Sequence, residues 1–456
     1  MTKRKYFGTN GVRGVVGELI TNPFVNKLTS AISSFIENKG VVVVGSDART
    51  SSPFIKHAVI STLLSSGVDV IDIGLVPTPL TQFAVRKLKA RLGIMITASH
   101  NPPQFNGLKV ISDDGIELSV EDQIKVEKKL EEGDFYSSDW TKLGDVTEIN
   151  MIDEYIDQII SFVDVDKILK KKMKVVVDGG NGVGSLVTPY LFKELGMKVF
   201  SINTTLDGHF PGRGSEPSPQ LLTEMAKTAK SVNADFSIAH DGDADRAIFG
   251  DERGVVYWGD RSIAIFEKMI LQNEQNKLFV TPVSSSSVVT DIAEEIGGKV
   301  EWTKVGCIYV SRTMQKLNAI LGGEENGGLF YSPHVPVRDG AMAGALMAHI
   351  LSTSSSTLSE LMNELPQYAQ LKDKVECPNN LKSKVLDAIS SRVKGYTELI
   401  TIDGLKAIYD NEWMLIRPSG TEPIFRIFVE ANTMDEAEKL LKEGKKTIRE
   451  TIESFQ

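Results

Sequence analysis

The sequence predicts an α/β protein, a threefold repeated α/β unit closed by a smaller α+β domain. Strand-like apolar runs give way to small or polar residues at three places. Val41-Val42-Val43-Val44 leads into Gly45-Ser46-Asp47-Ala48-Arg49, Val175-Val176-Val177 into Asp178-Gly179-Gly180-Asn181-Gly182, and Leu278-Phe279-Val280 into Thr281-Pro282-Val283-Ser284. Stretches with helical apolar spacing follow, as over residues 57–64. Continuous apolar strands alternating with helices point to parallel sheets covered on both faces. At 456 residues the chain is also too long for one core.

Taken in order, the first unit reaches an edge at the acidic, polar stretch 131–139, and residues 352–357 read as a polar turn or a very short linker. After Pro366 the texture changes to short strand-like runs, Trp413-Met414-Leu415-Ile416 and Ile427-Phe428-Val429, and a charged, helical-looking tail. Apolar residues at 41% and charged residues at 24% are ordinary for a globular protein. A net charge of -9 with no basic stripe argues against nucleic acid as a partner. Cys307 and Cys377 form no ligand-spaced cluster, which suits a reduced, cytoplasmic protein. Residues 1–7 are basic but run straight into Gly8-Thr9-Asn10-Gly11, without the apolar core of a leader. No apolar run has the length of a membrane span, so a soluble protein is expected.

Two loops carry the chemistry. Thr97-Ala98-Ser99-His100-Asn101-Pro102-Pro103 follows the apolar run Leu92-Gly93-Ile94-Met95-Ile96. The prolines fix φ and bar a helix, so the Ser99 hydroxyl sits on a held loop, as a phosphoryl acceptor needs. A capping or turn serine reads the same way, but a hydrolase elbow does not, because flanking glycines are missing. His100 is placed to orient the loop or a phosphate oxygen. Lys109, in the strand-like Gly107-Leu108-Lys109-Val110-Ile111, faces away from Leu108 and Val110. It is either a lysine whose pKa is lowered by burial beside other cations, fit to act as a base, or a solvated lysine on an edge strand.

In Asp241-Gly242-Asp243-Ala244-Asp245-Arg246, three carboxylates alternate after the run Phe236-Ser237-Ile238-Ala239. That spacing gathers oxygens around one Mg²⁺ and leaves positions open for a phosphate oxygen, with Arg246 suited to arriving anionic charge. A calcium-hand loop is the rival, with Glu252 at its twelfth position, but Arg246 stands where that loop needs glycine and a strand enters it. Gly322-Gly323-Glu324-Glu325-Asn326-Gly327-Gly328 offers acceptors for sugar hydroxyls, or is a surface turn. Arg417-Pro418-Ser419-Gly420-Thr421-Glu422-Pro423, between two apolar runs, reads as a phosphate nest or as a hairpin.

TASHNPP, DGDADR, GEENGG and RPSGTEP, in that order, resemble the motifs of the α-D-phosphohexomutase family, and the opening Phe7-Gly8-Thr9-Asn10-Gly11-Val12-Arg13-Gly14 is similar to its amino-terminal motif. The resemblance implies three related α/β domains with mixed sheets plus a smaller C-terminal α+β domain around a central cleft, with boundaries at 1–148, 149–252, 253–366 and 367–456. It implies that Ser99 is carried as phosphoserine and that Mg²⁺ is held by Asp241, Asp243, Asp245 and a phosphoserine oxygen. The phosphate would pass to a hexose phosphate through a bound hexose 1,6-bisphosphate, which also activates the serine. The likeness further implies Lys109 as general acid/base, with Arg13, His100 and Arg246 near the reacting phosphate. Glu324 and Asn326 would meet the sugar, and Arg417, Ser419, Gly420 and Thr421 would grip the phosphate that is not reacting.

Departures bear on the sugar. Relatives whose loop reads Glu-x-Ser-Gly-His have a serine where this chain has Asn326 and a histidine where it has Gly328, and Cys307 stands where some carry histidine or aspartate. Broad specificity over glucose, mannose and glucosamine phosphates is expected, in a monomer or homodimer. A phosphatase using the same serine, or a binding protein without turnover, are the competing readings.

Overall fold

Each of the three apolar runs becomes an interior strand of a sheet. The computed structural model describes residues 4–410, 412–420 and 422–455. In it Val41–Ser46, Lys174–Asp178 and Leu278–Pro282 each lie between two parallel neighbours. On one side stands the next strand in the chain: Asp69–Leu75, Lys198–Ile202 or Lys299–Thr303. On the other stands the third strand: Leu92–Ile96, Phe236–Ala239 or Leu321–Glu324. A fourth strand, Phe105–Ser112, Ile248–Asp251 or Gly328–Tyr331, runs antiparallel to the third. The apolar runs alone point to parallel sheets, and this strand makes them the mixed sheets that the resemblance implies. The loops joining third to fourth strands are too short for the crossover that a parallel return demands.

The repeat is therefore one of topology, and it places the chemistry. The third-to-fourth turn carries Ser99 in the first unit, Asp241 to Arg246 in the second and Glu324 to Gly328 in the third. Additional strands extend the sheets at their edges: Val12–Val15 beside Phe105–Ser112, Val146–Glu148 beside Asp69–Leu75, and Val335–Arg338 beside Gly328–Tyr331.

One hydrophobic core runs through the three units, joining Phe83 of the first, Phe192 and Phe249 of the second and Phe279 and Met347 of the third. The helix Gly340–Thr353 is buried along most of its length. Its sequence, GAMAGALMAHILST, is apolar nearly all round, and such a helix must be enclosed. Asp339 caps it by accepting from the Met342 amide. Residues 352–357 finish this helix and cap the next one, Leu358–Glu364, with a Thr357–Glu360 capping box. They are a turn, with no linker. The closing domain is a five-stranded antiparallel sheet covered by the helices Lys382–Arg392 and Met434–Glu453. It has its own core and meets the third unit through a small cluster around Val283, Trp413 and Leu415. Among the described residues no helix is long and apolar enough to cross a membrane.

One core group has a predictable cost. Glu267, in the helix Gly259–Leu271, is fully buried, and neither carboxyl oxygen has a hydrogen-bond partner among the described residues. Burial pushes its pKa well above the ordinary carboxylate value. Because the folded value lies above the unfolded one, its contribution is fully present below the unfolded pKa and is lost as pH rises through the folded pKa. Glu267→Met is therefore expected to raise stability by about 2 kcal/mol at pH 8 and by less at pH 5. Urea denaturation at the two pH values reads the difference. An equal effect at both would show that no proton is involved.

Candidate active site

Ser99 occupies a conformation that few serines adopt. Its φ is 53°, in the left-handed region, where a residue with a Cβ is strained. The loop holds it there. The Ser99 amide donates to Thr97 Oγ1 at 2.8 Å, and Thr97 Oγ1 donates to Asp47 Oδ2 at 2.6 Å. The buried Arg49 guanidinium reaches four carbonyls of the same loop: Ser99 (2.7 Å), Asn101 (2.6 Å), Pro102 (2.8 Å) and Phe105 (2.9 Å). Gly242 completes the fit, since a Cβ there would lie 2.6 Å from the Ser99 carbonyl oxygen. The serine and carboxylate loops consequently touch backbone to backbone. The Ser99 hydroxyl donates to Asp241 Oδ2 at 2.8 Å.

The carboxylate loop closes on this contact. One ligand atom from each of Asp241, Asp243 and Asp245 lies within 4.8 Å of the others, and all three residues are buried. Lys109 donates to Asp243 Oδ2 (2.6 Å) and Asp245 Oδ2 (2.9 Å), and Thr78 Oγ1 donates to Asp243 Oδ2 (2.6 Å). Asp243 Oδ1 and Asp245 Oδ1 have no hydrogen-bond partner among the described residues. Burial, reinforced by Asp245 and Asp243, holds the Asp241 carboxyl well above its ordinary value. Three clustered carboxylates with orphaned buried oxygens fit a hard divalent cation, which these three residues would hold. The calcium-hand reading is excluded, because the Glu252 carboxylate turns to Ser359 and stays out of the cluster.

Four cations surround the trio: Lys109, Arg13, Arg246 and Arg338. Lys109 is neither the solvated edge lysine nor the base of lowered pKa. It is fully buried, and burial alone would lower its pKa, but Asp243 and Asp245 outweigh that and raise it. Its two carboxylate partners favour the protonated form of the side chain. Arg13 donates to Asn101 Oδ1 at 3.2 Å, while its Nε and second terminal nitrogen are buried without hydrogen-bond partners among the described residues. Burial, with Arg246 and Arg13 nearby, holds His100 well below the ordinary imidazole pKa, so the ring is neutral and Nδ1 accepts from Arg246 at 3.0 Å.

The sugar-loop candidates split. Glu324 is buried and accepts from Arg338 at 3.1 Å, whereas the Asn326 side-chain oxygen accepts from the Gly328 amide at 3.1 Å and shapes its own turn. The fourth-domain loop is held by contacts within its own domain. Arg417 pairs with Asp403 at 2.9 Å, Ser419 Oγ accepts from the Glu422 amide at 3.1 Å, and Lys382 donates to the Ser419 carbonyl at 2.7 Å. A Cβ at Gly420 would meet open space, and Thr421 lies outside the described residues. Sequence reasoning passed over Arg49, Thr78, Glu216 and Arg338. Glu216 pairs with Arg246 at 3.0 Å and approaches His100 at 3.7 Å. The only signal was the polar Asp47-Ala48-Arg49 step after an apolar strand, which reads equally well as a loop.

The comparisons agree with this geometry. Family profiles described as phosphoglucomutase/phosphomannomutase, alpha/beta/alpha domains I, II and III and C-terminal domain, match residues 4–137, 153–254, 258–368 and 373–445. A Thermococcus kodakarensis protein named phosphoglucomutase/phosphomannomutase is 42% identical over 453 residues, 98% of this chain and 99% of its own. A phosphoglucosamine/phosphogalactosamine mutase of Sulfurisphaera tokodaii is 41% identical, over 97% of this chain and 99% of its own. A solved phosphoglucomutase/phosphomannomutase family protein of Burkholderia thailandensis superposes with a TM-score of 0.87 at 26% identity, covering 97% of each chain. The protein is accordingly an isomerase, an intramolecular phosphotransferase acting on a hexose phosphate. It belongs to the phosphoglucomutase/phosphomannomutase family of α-D-phosphohexomutases.

Proposed function

We propose that the protein interconverts hexose 1-phosphates and hexose 6-phosphates through a phosphoserine at Ser99 and a bound 1,6-bisphosphate. The observation that carries this reading is the Ser99 hydroxyl, held on a backbone at φ 53° and donating at 2.8 Å to Asp241, one of three clustered, buried carboxylates. Mg²⁺, held by Asp241, Asp243 and Asp245, would supply charge neutralisation for the phosphoryl group. The chain's own residues do the rest. The Arg49-braced loop fixes the oxygen from which the P–O bond breaks, and Arg13 and Arg246 face the moving phosphoryl. The sugar hydroxyl forms the new P–O bond as the Ser99–O–P bond breaks, and Lys109, as general acid/base, gives a proton to the departing Ser99 oxygen and takes the one the sugar hydroxyl releases. The second phosphate of the bisphosphate then returns a phosphoryl group to Ser99. Glu324 meets the sugar, and Arg417, Ser419, Gly420 and Thr421 hold the idle phosphate. The relatives' names span glucose, mannose, glucosamine and galactosamine. That spread supports broad specificity in this chain, with less than about a hundredfold preference between sugars.

The test is an assay with Mg²⁺ and a trace of glucose 1,6-bisphosphate on the 1-phosphates of glucose, mannose and glucosamine, with free phosphate followed in parallel. Conversion to 6-phosphates without phosphate release is expected. Phosphate release alone would make the enzyme a phosphatase and overturn the reading. One sugar preferred by more than about a hundredfold would overturn the breadth.

A further inference from the structure

Arg338 joins loops from three units on one buried guanidinium. One terminal nitrogen donates to Glu324 Oε2 at 3.1 Å, and the other donates to Asp245 Oδ2 at 2.5 Å. With the Asn10 amide turned so that its oxygen faces Arg338, that oxygen accepts at 2.8 Å. The backbone is arranged for this reach. The ladder between Gly328–Tyr331 and Val335–Arg338 shifts register between Phe330 and Tyr331, the kind of irregularity that re-aims a side chain beside a site. The side chain then crosses Gly328. A Cβ at that glycine would lie 2.4 Å from Arg338 Cδ and 2.9 Å from Cγ. Asp339, fixed by its cap on the helix Gly340–Thr353 and by Tyr155 at 2.6 Å, anchors the strand end. A planar fork answering one carboxylate on each arm is a task for arginine, which lysine cannot reproduce.

We infer that Arg338 is a substrate-positioning residue, holding the Glu324 carboxylate toward the sugar in register with the carboxylate loop, in the channel that Gly328 leaves open. This rests on the proposed function. Glu324 is deeply buried, and the hydrogen bond that aims its carboxylate among the described residues comes from Arg338.

The experiment compares Arg338→Met, Arg338→Lys and Gly328→Ala with the unaltered enzyme. Gly328→Ala changes no charge and displaces the guanidinium by its Cβ alone. KM for hexose 1-phosphate is measured with Mg²⁺, and Kd for glucose 6-phosphate and for inorganic phosphate by calorimetry in EDTA. All three variants are expected to raise KM and the sugar-phosphate Kd about tenfold, to lower kcat less than about threefold, and to leave the Kd for inorganic phosphate within about twofold. Unchanged KM and Kd would overturn the inference, as would a loss confined to kcat. An equal loss for inorganic phosphate would overturn it too, since it would mark plain charge attraction. Should Arg338→Met fail to fold, the other two variants decide. No turnover of any sugar by the unaltered enzyme would overturn the proposed function and this inference with it. Turnover that the variants leave untouched overturns the inference alone.

Discussion

Ser99→Ala is expected to lower kcat by at least about 10⁴-fold, while sugar-phosphate affinity stays within a few-fold of the unaltered enzyme. The reason is the division of labour in the cleft. The hydroxyl is the only part of Ser99 aimed at Asp241, and the loop around it is held by backbone carbonyls that alanine retains. Intact mass should show one phosphate on the unaltered protein after incubation with glucose 1,6-bisphosphate and none on the variant. Ser99→Gly sharpens the test. At φ 53° a Cβ is strained, so the glycine variant should be the more stable of the two by about 1 kcal/mol and equally inactive. Full turnover by either variant would remove Ser99 from the reaction. A drop in activity matched by a collapse in melting temperature would make it merely structural.

What the sequence disclosed, and what it withheld, divides along the distance over which each residue acts. Asp241, Asp243 and Asp245 alternate within one turn, so their convergence into one buried cluster is local geometry, readable from spacing. The held loop around Ser99 was readable for the same reason, since two prolines restrict it within a few positions. The repeat was visible as three apolar runs, and the mixed sheets that the resemblance implied have their physical reason in the shortness of the turn before the fourth strand. Lys109 was misjudged because the sign of its shift is set by partners from another unit, more than a hundred positions along the chain. Arg338 was invisible, because nothing in Val335–Arg338 announces that a register shift and a glycine one strand away will steer its side chain between two loops. The Arg417–Asp403 ion pair and the Lys382 bond to the Ser419 carbonyl were not legible, because each partner comes from another element of the closing domain.

Arg49 should have the largest effect of any residue that touches neither the cation site nor the sugar. Its guanidinium is buried, pairs with Asp47 at 3.1 Å, braces four carbonyls of the serine loop and stacks over Phe210 at 5.1 Å. Arg49→Met would leave Asp47 as a buried charge without its counterion, a change that costs about 3–5 kcal/mol. Burial already raises the Asp47 pKa, and Arg49 is the charge that opposes the rise. In the variant the folded pKa climbs further above the unfolded one. The contribution of that group is full below the unfolded value and lost as pH rises through the folded one. The deficit against the unaltered enzyme should therefore widen from pH 5 to pH 8. Adding Asp47→Asn removes the stranded charge and should restore at least half of the lost stability, with its pH dependence gone. It should not restore the reaction. The carbonyls of Ser99, Asn101, Pro102 and Phe105 still lack their donors, and a loop free to move by an ångström loses about a hundredfold in rate. Denaturation and kcat measured on the single and double variants separate the two roles. If the double variant recovers both stability and full kcat, the serine loop needs no brace and Arg49 serves only to neutralise Asp47.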